Sequence, residues 1–359
     1  MAYSRILEED LKKIANSCLP FEKYRGCTFL VTGATGLIGS LIIKNLLYIN
    51  HVYNLDIKIK AMIRNYDKAK KIYLDYINFK ELTFIVQDMN VPFWQIEGVV
   101  DFIIHTAAVT NSSYMINFPV ETIKTAVIGT NSILEMAREK EIRGMVYVSS
   151  MEVYGNIGSI EHAVTEKELG YIDISSVRSG YPEGKRLCEC LCNAYAKQYN
   201  MHIVNARLAQ TFGAGILPGE NRVFAQFAKS AIEGTDIILH TKGLSEGNYI
   251  YTADAVKAIF LLLTEGASGE SYNISNEKSH TTIADMAKLV SEKIANNNIK
   301  LIYDIPENLE SMGYAPDVKL YLSSGKLQKL GWKATVGLQE SYERMIEYIK
   351  EVNNGSYLV

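Results

Sequence analysis

The stretch Phe29-Leu30-Val31-Thr32-Gly33-Ala34-Thr35-Gly36-Leu37-Ile38-Gly39 decides the fold. Its first half is a short apolar run, which reads as a buried parallel strand. Gly33, Gly36 and Gly39 follow in a G-x-x-G-x-x-G pattern, and Leu41-Ile42-Ile43-Lys44-Asn45-Leu46-Leu47 continues as an amphipathic helix. Glycines let such a turn take backbone angles that other residues resist. They also let a pyrophosphate approach the unpaired N–H groups of the first helical turn. Set between a strand and a helix, the glycine repeat points to dinucleotide binding. The expected contacts here are Gly33, Thr35, Gly36, Leu37, Ile38 and Gly39.

Outward from this turn, strand and helix patterns alternate. Ile57–Ile63 reads as a second strand ending at Arg64. An acid at that position would bind a ribose 2′-hydroxyl, whereas an arginine accommodates a 2′-phosphate, so Arg64 leans toward NADP. Leu82–Val86 is a third strand, and Asp88 and Met89 just beyond it are expected on the adenine side of the site. Val99–His105 is a fourth, followed by Thr106, Ala107 and Ala108, whose small side chains permit close approach of a cofactor. His105 is expected to pack at the strand end rather than act as a base.

A long helix over 119–140 leads into a fifth strand, Gly144–Ser150, and His202–Leu208 reads as a sixth. The alternation predicts an α/β fold with a doubly wound parallel sheet and ligands at the carboxyl ends of its strands. Residues 213–222 read as a loop, 223–233 and 252–264 as helices, 271–274 as a short strand, and 338–352 as a closing helix. A helix is also expected over 281–295, with Thr282 as its N-cap and Asp285 at the third position. Three regions follow: an N-terminal helical extension (1–25), a dinucleotide-binding domain carrying the catalytic residues (26–212), and a smaller α/β domain (213–359) mainly for substrate and interleaved with the first. The extension is expected to pad the first domain or a partner subunit.

Composition narrows the partners. Lys+Arg 37 against Asp+Glu 40 gives a net charge of −3, with no basic excess to hold nucleic acid. No apolar run approaches the ~20 residues that span a bilayer. The N-terminus carries acids early and lacks a signal-peptide core, so the chain is expected in the cytoplasm. Cys188, Cys190 and Cys192 resemble a metal cluster at first sight, but spacing of two and four on a helix turns Cys190 away from the others. No metal is expected.

The chemistry centres on Ser150, Glu152, Tyr181 and Lys185. Tyr181 and Lys185 are four apart on one helix and share a face. An ammonium beside a phenol stabilises the phenolate and lowers its pKa from about 10. The phenolate can then take a proton from a substrate hydroxyl while hydride leaves the same carbon for nicotinamide. Ser150 would hydrogen-bond the same oxygen.

These residues, with Thr32–Gly39, His105–Ala108, Val146–Gly155, Tyr181–Lys185 and Leu330-Gly331-Trp332, resemble the extended short-chain dehydrogenase/reductases of the nucleotide-sugar epimerase/dehydratase group, from about residue 26 to 350. The resemblance implies a Rossmann-type domain, tightly held NAD, oxidation of a sugar at C4, a nucleotide-diphosphate sugar as substrate, and a homodimer built on two helices of each subunit. Arg178–Arg186, and Tyr114-Met115 with Pro119, Lys124-Thr125 and Gly129-Thr130, are similar to UDP-glucuronate decarboxylases. Glu152 matches decarboxylases and 4,6-dehydratases and is expected to move the C5 proton. Tyr114, Arg207 and Arg222 are expected to bind substrate.

Three departures stand beside these matches. Met151 replaces the aspartate with which 4,6-dehydratases protonate the leaving hydroxyl. Ala126 replaces an asparagine often found in the long helix. An arginine is absent at Gly247 and again within Met312–Asp317. The reading is a lyase-type nucleotide-sugar enzyme, with a 4-epimerase, an NADP-dependent reductase and a non-catalytic cofactor-binding regulator as the alternatives.

Overall fold

The structure is a computed structural model that describes residues 4–91, 96–158, 161–306 and 317–353. Helix α1 (Arg5–Ala15) opens the chain and buries Ile6, Leu7, Leu11 and Ile14 against the chain's own later helices. The alternating core then begins with strand β1 (Thr28–Thr32), buried at every position. Helix α2 (Leu37–Tyr53), β2 (Lys58–Ile63), α3 (Tyr66–Ile72), β3 (Leu82–Val86) and β4 (Phe102–His105) follow. After them come α4 (Ser112–Asn117), α5 (Pro119–Glu139), β5 (Gly144–Ser150), α6 (Gly180–Tyr199) and β6 (Ile203–Leu208). The C-terminal part contributes β7 (Gln210–Phe212), α7 (Val223–Glu233), β8 (Ile237–Leu239), β9 (Glu246–Tyr251), α8 (Thr252–Glu265), β10 (Ser271–Ile274) and β11 (Asn276–Thr282). It ends with α9 (Ile283–Leu289), β12 (Leu301–Tyr303), α10 (Gly325–Gln328) and α11 (Leu338–Asn353).

Seven strands form one sheet in the order β10-β6-β5-β4-β1-β2-β3, and every pairing in it is parallel. The order reverses between β1 and β4, which opens a crevice at the carboxyl ends where such folds bind ligands. Both faces are covered at the centre of the sheet, so β1, β4 and β5 are buried almost throughout, whereas β2 and the edge strand β3 carry exposed positions. Phe29 and Val31 pack into one core with α2 and α8. Leu30, one residue between them, faces the other way into a core with α5 and α6.

β10 lies far beyond residue 213 in sequence but pairs with β6 in the main sheet. The remaining strands form two small sheets, β11-β9-β7 and β12-β8. The helix expected over 281–295 starts later, at Ile283. Thr281 and Thr282 pair with Gly247 and Glu246 across β9. Thr282 then caps α9 by accepting the Asp285 N–H at 2.9 Å, and a π-turn over Val290–Ile294 completes the segment. No helix among the described residues is long and apolar enough to cross a membrane.

Candidate active site

A cleft of about 680 Å³ runs across the carboxyl ends of β1 to β6. Its wall takes Gly33 after β1, Arg64 after β2, Gln87 after β3, Thr106 after β4, Ser150 at the end of β5 and Gln210 after β6. At one end lies the glycine turn. Gly33 has φ +63°, and a Cβ there would stand 2.6 Å from Thr106 Oγ1 and 2.8 Å from the Ala107 nitrogen. Gly36 precedes α2, whose first turn has no side-chain cap. Thr35, Leu37 and Ile38 also face the cleft, as do Met89, Ala107 and Ala108. A cradle that a side chain would fill, beside uncapped backbone donors, fits a dinucleotide pyrophosphate.

Two expected cofactor residues stand off this wall. A Cβ on Gly39 would lie 2.4 Å from the Gly33 carbonyl oxygen, so this glycine lets α2 approach the turn and does not face the ligand. Asp88 points away, its carboxylate accepting the Asn90 N–H at 2.8 Å. Its neighbours Gln87 and Met89 face the cleft instead, because alternate residues of an extended chain point to opposite sides.

The four catalytic candidates meet in the middle of the cleft. Tyr181 and Lys185 sit on the first turns of α6, both buried. Lys185 Nζ donates to the Val148 carbonyl at 2.7 Å, which ties α6 to β5. Burial lowers its ammonium to about 8. Tyr181 lies beside Ser150, the last residue of β5, whose hydroxyl favours the phenolate. The phenol does not show the expected lowering. Burial and the nearby Glu152 carboxylate raise it to about 12, and Ser150, Arg178 and Arg222 pull it back only in part. The physical reason is that burial, not the lysine, dominates the phenol's surroundings.

Glu152 follows Ser150 in a 3₁₀ turn, and Ser150 Oγ accepts the Glu152 N–H at 3.2 Å. Arg178, in the turn that precedes α6, places Nη2 3.3 Å from Glu152 Oε1. Burial raises the Glu152 carboxyl, while Arg178 and Arg222 act against that rise. Arg178 is on the cleft wall. In the sequence Arg178 stands out only as part of the Arg178–Arg186 stretch, because an arginine ahead of a helix carries no signal of its own.

Arg222 and Tyr114 reach the cleft as expected. Arg222 pairs with Glu220 at 2.6 Å, which also lines the cleft. Arg207 does not. It is buried between β6 and α6, bound to Glu189 at 2.7 Å and to the Tyr154 hydroxyl at 3.0 Å, and the expectation that it binds substrate is corrected. A buried guanidinium with a buried carboxylate is held in place because separating them would strand a charge.

Met151 is on the cleft wall. Ala126 is not: its carbonyl accepts from Cys188 of α6, while Thr125 beside it faces the cleft. Gly247 lies in β9, off the wall, and Met312–Pro316 fall outside the described residues. His105 is the expected strut. It hydrogen-bonds Thr32 at 2.6 Å and Thr130 at 3.1 Å, and burial lowers its imidazole to about 3. Cys188 and Cys192 are buried and Cys190 is exposed, and no metal-ligating cluster occurs among the described residues.

The NAD dependent epimerase/dehydratase family pattern matches residues 29–275. The chain belongs to that family. It is an enzyme family, and the glycine cradle and the Ser150, Tyr181 and Lys185 cluster both fall within the matched span. UDP-glucuronic acid decarboxylase 6 of Arabidopsis thaliana is 30% identical over 319 residues, covering 89% of this chain and 87% of that protein. The dTDP-D-glucose 4,6-dehydratase of Homo sapiens is 27% identical over 345 residues, covering 90% and 89%. Among solved structures, the dTDP-glucose 4,6-dehydratase DesIV of Streptomyces venezuelae, with NAD and TYD bound, shares the fold with a TM-score of 0.74 at 22% identity, over 91% of this chain and 98% of that one.

Proposed function

We propose that this enzyme takes a nucleotide-diphosphate sugar, oxidises it transiently at C4, and releases carbon dioxide from a C5 carboxylate. The observation that carries the reading is the convergence of Ser150, Glu152, Tyr181 and Lys185 on one wall of the dinucleotide cleft. When bound, an oxidised nicotinamide supplies a hydride acceptor. Gly33, Gly36, Thr35, Leu37 and Ile38 would hold the dinucleotide. Tyr181 takes the proton of the C4 hydroxyl, Ser150 orients that oxygen, and the Lys185 ammonium favours the phenolate. A C4 ketone places the C5 carboxylate β to a carbonyl, where loss of carbon dioxide leaves an enolate. Glu152 is the group placed to return a proton at C5.

Decarboxylation is favoured over dehydration because Met151 offers no proton to a leaving hydroxyl, while Arg178 and Arg222 bring two cations to the cleft. Simple 4-epimerisation needs neither feature. The relatives that act on UDP-glucuronate and dTDP-glucose support the same substrate class. We also place a homodimer contact on α5 and α6, which pack together and leave Val120, Ile123 and Leu187 exposed.

The deciding experiment incubates the native enzyme with UDP-glucuronate and, separately, with dTDP-glucose, and reads products by mass spectrometry. Loss of carbon dioxide from the first is expected. Loss of water from the second would make it a dehydratase, and an unchanged mass with new stereochemistry an epimerase. No product from either, with cofactor bound, would overturn the reading.

A further inference from the structure

The cleft ends, past the glycine turn, at the tip of β2. Arg64 directly follows that strand, and Lys68 stands in the first turn of α3; both are exposed and both line the cleft. Neither side chain makes an ion pair or hydrogen bond among the described residues, whereas Arg178, Arg186, Arg207 and Arg222 are all paired. The carboxylates on the cleft wall, Glu152 and Glu220, belong to the sugar side. At the β2 end no carboxylate among the described residues lines the cleft: Asp67 is off the wall, and Asp88 is turned to Asn90. A ribose with two free hydroxyls asks for an acceptor such as a carboxylate at this place; a ribose phosphate asks for cations.

We infer that this site is built for a ribose 2′-phosphate, so that the enzyme selects NADP(H) over NAD(H) through Arg64 and Lys68. The inference rests on the dinucleotide reading of the cleft and goes beyond it by assigning the adenosine end. Two unpaired cations give the phosphate ligand partners without first breaking a bond inside the protein. Because both side chains are exposed, the attraction is screened by salt.

The test is equilibrium binding, read by fluorescence of NADPH and NADH with the purified full chain at low and high salt, after stripping any retained cofactor. NADPH is expected to bind roughly tenfold or more tightly than NADH, with a gap that narrows as salt rises. The double variant Arg64→Ala/Lys68→Ala should lose that gap while its NADH affinity stays within about threefold of the parent's, a range in which exposed side chains carry little folding energy. Mass spectrometry of the cofactor retained on purification gives a second readout, since the 2′-phosphate adds its own mass. Equal or tighter binding of NADH by the parent overturns the selectivity and leaves the dinucleotide reading standing. A preference for NADPH that persists in the double variant overturns the role of these residues. Binding of neither dinucleotide overturns the cleft reading itself.

Discussion

The Arg178 guanidinium stands 3.3 Å from the Glu152 carboxylate, and it joins the turn before α6 to the segment that leaves β5. Burial raises the carboxyl of Glu152, and Arg178 is the largest influence against that rise. Removing the arginine therefore moves the carboxyl further upward. Because Glu152 must carry the proton it returns to C5, Arg178→Met should move the alkaline limb of the kcat profile to higher pH, with little change well below that limb. A uniform loss at every pH would show that Arg178 serves substrate binding and not the protonation of Glu152. Glu152→Gln should leave C4 oxidation detectable as reduced cofactor and abolish the final product.

In the proposed reaction Tyr181 takes the C4 proton, and burial pushes its phenol up to about 12. Ionisation must then be assisted within the loaded site by the cations around it. Tyr181→Phe removes the base and should lower kcat by roughly 10²–10⁴-fold. Dinucleotide affinity, measured by fluorescence titration, should be unchanged, because the glycine turn is untouched.

Gly39 has a structural duty that its place in the motif conceals. A Cβ there would lie 2.4 Å from the Gly33 carbonyl oxygen, a backbone atom that cannot swing aside. Gly39→Ala should cost about 1–3 kcal/mol of stability in urea denaturation and weaken dinucleotide binding with it. An unchanged midpoint would mean that α2 shifts freely against the turn.

His105 makes the fold sensitive to acid. The unfolded chain's imidazole takes up a proton near 6.5, while the folded one resists until about 3. Between these values the unfolded state binds more protons, so stability rises with pH and is lost as the pH falls. The slope from this one group approaches ~1.4 kcal/mol per pH unit over that window. His202, also lowered by burial, adds in the same direction. His105→Gln should flatten the dependence of urea stability between pH 6.5 and 5, and an equal slope in the variant would assign the effect to other groups.

The fold and most of the cleft were legible in the chain because they are written in short-range spacing. A strand, three glycines and a helix follow each other within one stretch, and the cradle between Gly33 and Thr106 follows from it. Tyr181 and Lys185 share a face of α6 because they are one turn apart, and Ser150 reaches them because a parallel strand must end at the crevice. Even the cysteines were decided by helical phase.

Two of the arginines were not legible. Arg178 and Arg207 are alike as residues, yet one faces the cleft and the other is locked to Glu189 between β6 and α6. Asp88 and Gln87 exchange roles through one step of an extended chain. Sequence by itself determined which elements form and where their ends converge, since periodicity and turn chemistry act over a few residues. Only the tertiary structure decided which charged groups meet, because a charge is satisfied by whatever partner the packing of distant segments brings within a few ångströms, and one residue of register is enough to exchange the partner for solvent.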